Sequence, residues 1–193
     1  MVFLVRGPAH DAIRRQTRHL HDALGSRLVL SKLVSRMGYI DFLLFSWACA
    51  PIEQALEDAG IGKMFLDWDQ RRRRISLATD LEALGVRLPF YGALTIDSDV
   101  GSMLGWSYVL EGSRLGARVI LETVMTSPEA TIRRTTSFLR HGEGKQLWES
   151  FKVELGKMDR DPPAIARACT SANAAFQYFG TFRRTGHGAH VQI

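Results

Sequence analysis

The sequence predicts an all-α protein, and three observations support this. Apolar residues recur at three- and four-residue spacing in several segments, as is typical of amphipathic helices. Strand signals are nearly absent, since no Asn-Gly or Asp-Gly hairpin turn occurs and no long stretch alternates polar and apolar residues. Glycine, proline and capping residues divide the chain into segments of helical length.

The N-terminal half is expected to form three helices and one long loop. The helices cover about residues 9–24, 38–59 and 77–84, and the loop covers residues 60–74. Gly25 ends the first helix, and Pro51 predicts a kink in the second because proline lacks a backbone N–H.

Four further helices are expected over residues 100–125, 128–139, 143–155 and 163–182. Asp97 and Asp99 can cap the first of these, which is the longest. Pro162 and Pro163 separate the last two.

Composition favours one globular domain over residues 1–193, with flexible ends at 1–8 and 185–193. The chain is 46% hydrophobic and 23% charged, and no stretch approaches the roughly 18 apolar residues of a membrane span. We therefore expect a cytoplasmic protein that does not enter the membrane. Cys49 and Cys169 lie in apolar segments and are expected to be small buried side chains, while His187 and His190 belong to the frayed C-terminal end.

A net charge of +5 suits acidic partners without indicating nucleic acid. The densest basic run, Arg71 to Arg74, lacks the interleaved aromatic residues of a single-strand binder. We expect this run to be a solvated surface.

Arg14, Arg18 and His21 share one face of the first helix, at intervals of four and three residues. A histidine beside an apolar stripe is usually a packed or half-exposed side chain. Haem (heme) would give this face a function, because its iron binds imidazole and its propionates bind cations.

Gly112 and Gly116 lie on one face of the longest helix, where each glycine costs about 1 kcal/mol relative to alanine. One explanation is a close helix crossing, which small residues permit. The other is a flat ligand lying directly against the helix backbone.

Two segments resemble haem oxygenases. Thr17-Arg-His-Leu-His21 is similar to their proximal helix, and the segment from Trp106 to Ile120 is similar to their distal helix. The motif Tyr-Val-Leu-Glu-Gly-Ser resembles the distal-helix sequence of the bacterial branch associated with bacteriophytochromes. The resemblance implies a single-domain, multi-helical bundle with haem sandwiched between the two helices.

The activity implied by the resemblance is cleavage of haem, both cofactor and substrate, to biliverdin, carbon monoxide and ferrous iron with O2 and external electrons. His21 would ligate the iron, and the distal residues would crowd the reacting edge. The implied distal residues are Gly112, Ser113, Gly116 and Ala117, and the implied propionate partners are Arg14, Arg18 and Lys145.

Four departures from the family pattern concern these sites. Ser113 stands where the mammalian enzymes have an aspartate, and Ala117 stands where the family usually has a glycine. Gly25 stands where the mammalian enzymes have a carboxylate that orients the proximal histidine, and Glu149 stands where a basic residue is expected. The Ala117 methyl favours an alternative, a non-degrading haem sensor or carrier.

A helical interaction protein without haem is a third interpretation. His19 is the competing candidate for the iron ligand, but it lies on a different helix face from His21.

The implied partners are haem, an acidic electron donor such as a ferredoxin, flavodoxin or reductase, and a bacteriophytochrome that receives biliverdin. A basic face containing Arg14, Arg18 and the Arg71 to Arg74 run would suit the donor.

Overall fold

The computed structural model describes residues 7–26 and 28–185, and every regular element in these ranges is helical. The all-α prediction is confirmed. The described α-helices are α1 Pro8–Gly25, α2 Arg36–Ser46, α3 Cys49–Ala59, α4 Trp68–Arg71, α5 Arg74–Ala83, α6 Val100–Val124, α7 Ala130–Arg134, α8 Ser137–Arg140, α9 Leu147–Gly156 and α10 Pro162–Thr185. Short 3-10 helices cover Leu30–Val34 and Ile61–Lys63.

The long helix α10 packs against both α1 and α6, and all three run in the same direction. Along α1, the backbone N–H of Ala9 donates to Asp159 Oδ1 at 2.9 Å, just before α10 begins. Further on, Leu24 of α1 lies beside Gly180. Helix α6 also runs parallel to α10. Gly101 lies against Ala164, and Gly105, one turn later in α6, lies against Ala168, one turn later in α10.

Two glycines permit the close packing of α6 on α10. A Cβ atom on Gly101 would lie 2.4 Å from the carbonyl oxygen of Ala164, and one on Gly105 would lie 2.4 Å from that of Ala168. Because both obstacles are backbone atoms, no side-chain rotation relieves them. The first half of α6 is therefore held against α10 by a Gly-x-x-x-Gly pair.

The prediction of one helix over residues 38–59, kinked at Pro51, is wrong. The segment forms two helices, α2 and α3, and the interruption lies at Trp47 and Ala48. Pro51 is the third residue of α3, where its missing N–H has no intrahelical acceptor to lose. Its ring would collide with the carbonyl four residues earlier, which places the break at Trp47.

Other boundaries also differ from the prediction. The helix expected over residues 128–139 is two short helices, α7 and α8, separated at Thr135 and Thr136. The helix expected from residue 143 starts at Leu147, because positive φ angles of 81° and 77° at Gly142 and Gly144 form a turn. Helix α5 begins three residues earlier than expected, at Arg74.

At the chain ends, α1 begins at Pro8, within the segment expected to be flexible, because proline suits the first helical position. Thr185, where the C-terminal segment expected to be flexible begins, is the last residue of α10. Residues 1–6 and 186–193, which include His187 and His190, lie outside the described residues, so the prediction for them stays untested. Cys49 and Cys169 are free and buried, as predicted. Within the described ranges, no helix has the length and apolar character needed to cross a bilayer.

The prediction that Arg71 to Arg74 form a solvated surface is wrong. Arg71 and Arg73 are each 3% exposed, and Arg72 and Arg74 are bound to Glu57 of α3 at 3.4 and 2.8 Å. The run turns inward because acceptors distant in sequence surround it. These four residues therefore tie α4 and α5 to the rest of the bundle, and the predicted docking role of the run is withdrawn.

Candidate functional site

The face of α1 that carries His21 is turned toward α6 and α9. His10 lies on this face, eleven residues before His21, and its ring centroid is 5.9 Å from those of both Tyr108 and Trp148. Spacings of four, seven and eleven residues return to one side of an α-helix. His10 therefore shows which way Arg14 and His21 point.

His21 is accessible, with 72% of its side chain exposed, and it lies beside Phe176 of α10 with ring centroids 6.3 Å apart. Its Nδ1 is 3.2 Å from Asp22 Oδ1. In the tautomer protonated at Nδ1, this contact is a hydrogen bond that leaves Nε2 free to ligate a metal. Asp22 can thus orient the ring, a role that sequence reasoning missed because it looked for a carboxylate at Gly25.

Arg14 and Arg18 are exposed on the same side of α1 as His21, as their spacing predicted. Arg18 Nε lies 3.8 Å from Asp22 Oδ2, so one carboxylate lies near both Arg18 and His21. His19 is exposed on the opposite side of the helix. The structure therefore groups two cations with His21 and sets His19 apart.

Gly112 and Gly116 face open space, unlike the crossing glycines earlier in α6. A Cβ atom on Gly116 would have no heavy atom of the described residues within 4 Å outside its own helix surroundings, and one on Gly112 would meet Trp148 at 3.8 Å, an ordinary contact. All four glycines share one helix face at spacings of four, seven and four residues. Helix α10 covers the first pair, so the close-crossing explanation does not account for the second.

The open glycines lie level with His21 along α10. Gly105 contacts Ala168 and Ser171, and continuing that register by seven residues sets Gly112 beside residues 175–178. This is the turn of α10 whose Phe176 contacts His21. The backbone of α6 at Gly112 and the imidazole of α1 therefore flank the same turn of α10.

Trp148 of α9 lines this region. It stacks on Phe151 with ring centroids 5.6 Å apart and lies edge-on to Tyr108 at 5.7 Å. Arg71 fixes α9 there, because its Nη1 donates to the carbonyl of Leu147 at 3.1 Å and its Nη2 to Ser150 Oγ at 2.7 Å. A lone tryptophan gave no signal from sequence, because its role depends on these distant contacts.

Ser113 is exposed at the edge of the glycine face, one residue after Gly112. Its hydroxyl donates to the carbonyl of Leu110 at 2.7 Å and accepts from Nη2 of Arg73 at 2.7 Å. Sequence reasoning missed Arg73, because a charge run predicts exposure.

Ala117 is 9% exposed, so protein atoms already cover most of its surface. Its position, seven residues after the buried Leu110, belongs to the covered side of α6. This burial leaves no open cleft surface at the methyl, and the observation that favoured a non-degrading carrier is lost.

The remaining residues singled out by the resemblance lie at the margins. Lys145 is exposed in the turn before α9, and its Nζ donates to Gln70 Oε1 at 3.0 Å. Glu149 pairs with Lys152 at 2.7 Å, and Gly25 is the last residue of α1, with open space beside it.

Buried charges behind the glycine face have shifted pKa values. Burial raises the pKa of the Glu53 carboxyl, and the backbone N–H groups of Arg73 and Arg74, which donate to its oxygens at 2.8 and 3.1 Å, oppose this rise. Burial and the Arg114 guanidinium lower the pKa of His141 to about 4. Arg114 Nη1 donates to His141 Nδ1 at 3.0 Å, which fits a neutral imidazole.

These residues fit haem in three respects. An accessible imidazole has a carboxylate on its Nδ1, two exposed cations lie on the same side of α1, and α6 offers a backbone face that a planar ligand can approach. The fit rests on α1 and α6 together, since neither helix alone supplies it.

Comparisons with known proteins show the family and the fold of the chain. A family model described as "Heme oxygenase" matches residues 95–185. The chain is 30% identical over 133 residues to a haem oxygenase of Xanthomonas campestris pv. campestris (strain 8004), covering 68% of this chain and 79% of that protein. Crystal structures of the NO- and CO-bound haem oxygenase from Neisseria meningitidis have the same fold, with a TM-score of 0.78, 21% identity, and 98% and 96% of the two chains covered. The chain therefore belongs to the haem oxygenase family.

Proposed function

We propose that this protein is a haem oxygenase that binds haem between α1 and α6 and cleaves it to biliverdin, carbon monoxide and ferrous iron, consuming O2 and external electrons. The observation that carries the proposal is the open backbone face at Gly112 and Gly116, level with His21 across α10. Family membership supports the same activity.

His21 is the proposed iron ligand, and Asp22 holds its ring in the tautomer that presents Nε2. Arg14 and Arg18 would bind the propionates, because guanidinium groups match carboxylates in bidentate hydrogen bonds. Lys145 is a third cation at the edge of the site, next to α9. Together these contacts would fix the in-plane orientation of the substrate.

Bound haem supplies the iron at which O2 is reduced, and the chain supplies position. The glycine face lets the α6 backbone approach the substrate and restricts the space above it, which limits where oxygen can react. Ser113, at the edge of that face, offers a hydroxyl as a hydrogen-bond donor. Trp148, which stacks on Phe151, supplies an apolar side chain beside Gly112.

The proposed electron donor is an acidic ferredoxin, flavodoxin or reductase that docks on the exposed cations of α1. Arg14, Arg15 and Arg18 are all exposed there, so complementary charge would speed association. Reduction of the haem complex should then slow as ionic strength rises. A rate that is insensitive to salt would contradict electrostatic docking.

The proposed acceptor of biliverdin is a bacteriophytochrome. The reason is that the distal-helix sequence from Tyr108 to Ser113 resembles the bacterial branch associated with these photoreceptors. Turnover in the presence of a phytochrome apoprotein should yield its photoreversible spectrum. Biliverdin that fails to transfer, while free biliverdin assembles normally, would contradict this partner.

The binding proposal is tested by titrating the apo-protein with haemin and following the Soret absorbance. The wild type should bind one haem per chain, and His21→Ala should lose the wild-type spectrum and regain it with added imidazole. His19→Ala is the matched control and should leave the spectrum unchanged. Substoichiometric binding by the wild type, or a His21→Ala spectrum identical to it, would refute the proposal.

A further inference from the structure

Arg73 reaches from the start of α5 to the edge of the glycine face of α6. Its side chain is buried, and its Nη2 donates to the carbonyl of Leu110 at 2.9 Å and to Ser113 Oγ at 2.7 Å. The guanidinium also lies over the ring of Phe138, 5.0 Å from its centroid. These contacts hold a cation directly behind the hydroxyl that adjoins Gly112.

The Arg73 guanidinium differs from its neighbours in having no carboxylate partner in the described part of the chain. Within residues 7–26 and 28–182, Arg71, Arg72, Arg74 and Arg114 each have a carboxylate oxygen within 4.0 Å, whereas Arg73 has none. Its Nε is buried and has no hydrogen-bond partner among the described residues. A buried cation that binds only neutral acceptors is costly, which calls for a reason to keep it there.

Other titratable groups lie around Arg73, and among the described residues none of them forms a hydrogen bond or ion pair with its guanidinium. They are Cys49 and Glu53 on α3, Glu111 and Arg114 on α6, and His141 after α8. Arg73 is therefore part of a buried electrostatic network, but the groups to which its guanidinium donates are Leu110 O and Ser113 Oγ.

The Ser113 hydroxyl can redirect its proton at little cost. It now donates to the carbonyl of Leu110, which also accepts from Arg73. If the hydroxyl turns toward the cleft, that carbonyl keeps the Arg73 hydrogen bond. A hydroxyl that accepts from a guanidinium is also polarised, which strengthens it as a donor.

We propose that Arg73 is a positioning residue for the distal side of the site: it holds and polarises the Ser113 hydroxyl, which donates to an anionic ligand on the haem iron. A buried guanidinium and a serine would thus act together where Ser113 alone is a weak neutral donor. This inference rests on the proposed binding of haem between α1 and α6.

Fluoride binding to the ferric haem complex tests this role without turnover, because fluoride accepts hydrogen bonds strongly. Ser113→Ala and Arg73→Met should each weaken fluoride binding by about tenfold, the usual worth of a hydrogen bond to a charged group. The double variant should be little weaker than either single variant, because both remove one unit. Ser113→Thr, which keeps the hydroxyl, should restore the affinity.

Arg72→Met is the matched control, because Arg72 pairs with Glu57 and Asp69 and should leave fluoride affinity unchanged. If Arg73→Met does not fold, Arg73→Lys takes its place. Lysine keeps the positive charge but lacks the planar guanidinium with its several donors, so this variant should also weaken fluoride binding. Unchanged fluoride affinity in either Arg73 variant, at wild-type haem affinity, would overturn the role of Arg73, and unchanged affinity in Ser113→Ala would overturn that of Ser113. Failure of the wild type to bind haem would instead overturn the proposed function.

Discussion

Adding a side chain at Gly116 should stabilise the apo-protein and weaken haem binding at the same time. A Cβ atom there meets no atom of residues 7–26 and 28–182 within 4 Å, so Gly116→Ala gains the helical preference of alanine, about 0.5–1 kcal/mol. For a chain of this length that gain corresponds to a rise in Tm of about 1–4 °C. A purely structural glycine would give the opposite sign.

Gly116→Leu extends the same test to the ligand. Overpacking of a filled site costs about 1–3 kcal/mol, which is a loss of haem affinity of about fivefold to about 150-fold. Thermal unfolding of the apo-protein and haemin titration measure the two effects separately. Leucine that leaves haem affinity unchanged would refute the placement of the ligand against α6.

Gly105→Ala is the matched control, because it belongs to the same face but is covered by α10. Its Cβ would lie 2.4 Å from a backbone oxygen, so the apo-protein should lose about 1–3 kcal/mol of stability. Stabilisation by Gly105→Ala would contradict the division of the glycine face into a covered and an open pair.

Three further substitutions test other parts of the site. Ala117→Gly should lower stability by about 1 kcal/mol and leave turnover unimproved, since the methyl is buried; faster turnover would show that it obstructs the substrate. Asp22→Asn should weaken haem binding by up to about tenfold and lower the iron–imidazole stretching frequency, and an unchanged Raman band would exclude orientation of His21 by this carboxylate. The depressed pKa of His141 keeps its imidazole neutral in the folded state, whereas the unfolded chain takes up a proton. The free energy of unfolding should therefore fall as the pH is lowered from about 6.5 to about 4, by at most about 1.4 kcal/mol per pH unit. His141→Gln should remove this part of the pH dependence, and an unchanged profile would contradict the pKa shift.

The sequence predicted the long helices because their signals are local. The Asp99 side chain accepts from the N–H of Ser102 at 3.0 Å, as a capping residue should, and Gly25 ends α1 as predicted. The break at Trp47 had no glycine or polar cluster to mark it. Proline was read as a kink at its own position, whereas its steric effect falls on the preceding turn.

The site was predictable only where function follows helical spacing. Arg14, Arg18 and His21 share an exposed side of α1 because their intervals require it. The arginine run was misread because its acceptors, including the carbonyls of Leu110 and Leu147, are distant in sequence. Likewise, nothing local separates Gly105 from Gly116, since the path of α10 decides which glycine is covered.

The central claim, that haem is bound here as a substrate, is tested most directly by the absorption spectrum of the haem complex during reduction in air. We expect the Soret band to decay while the broad red absorption of biliverdin appears. A Soret band that persists under reductant and O2 would contradict the claim.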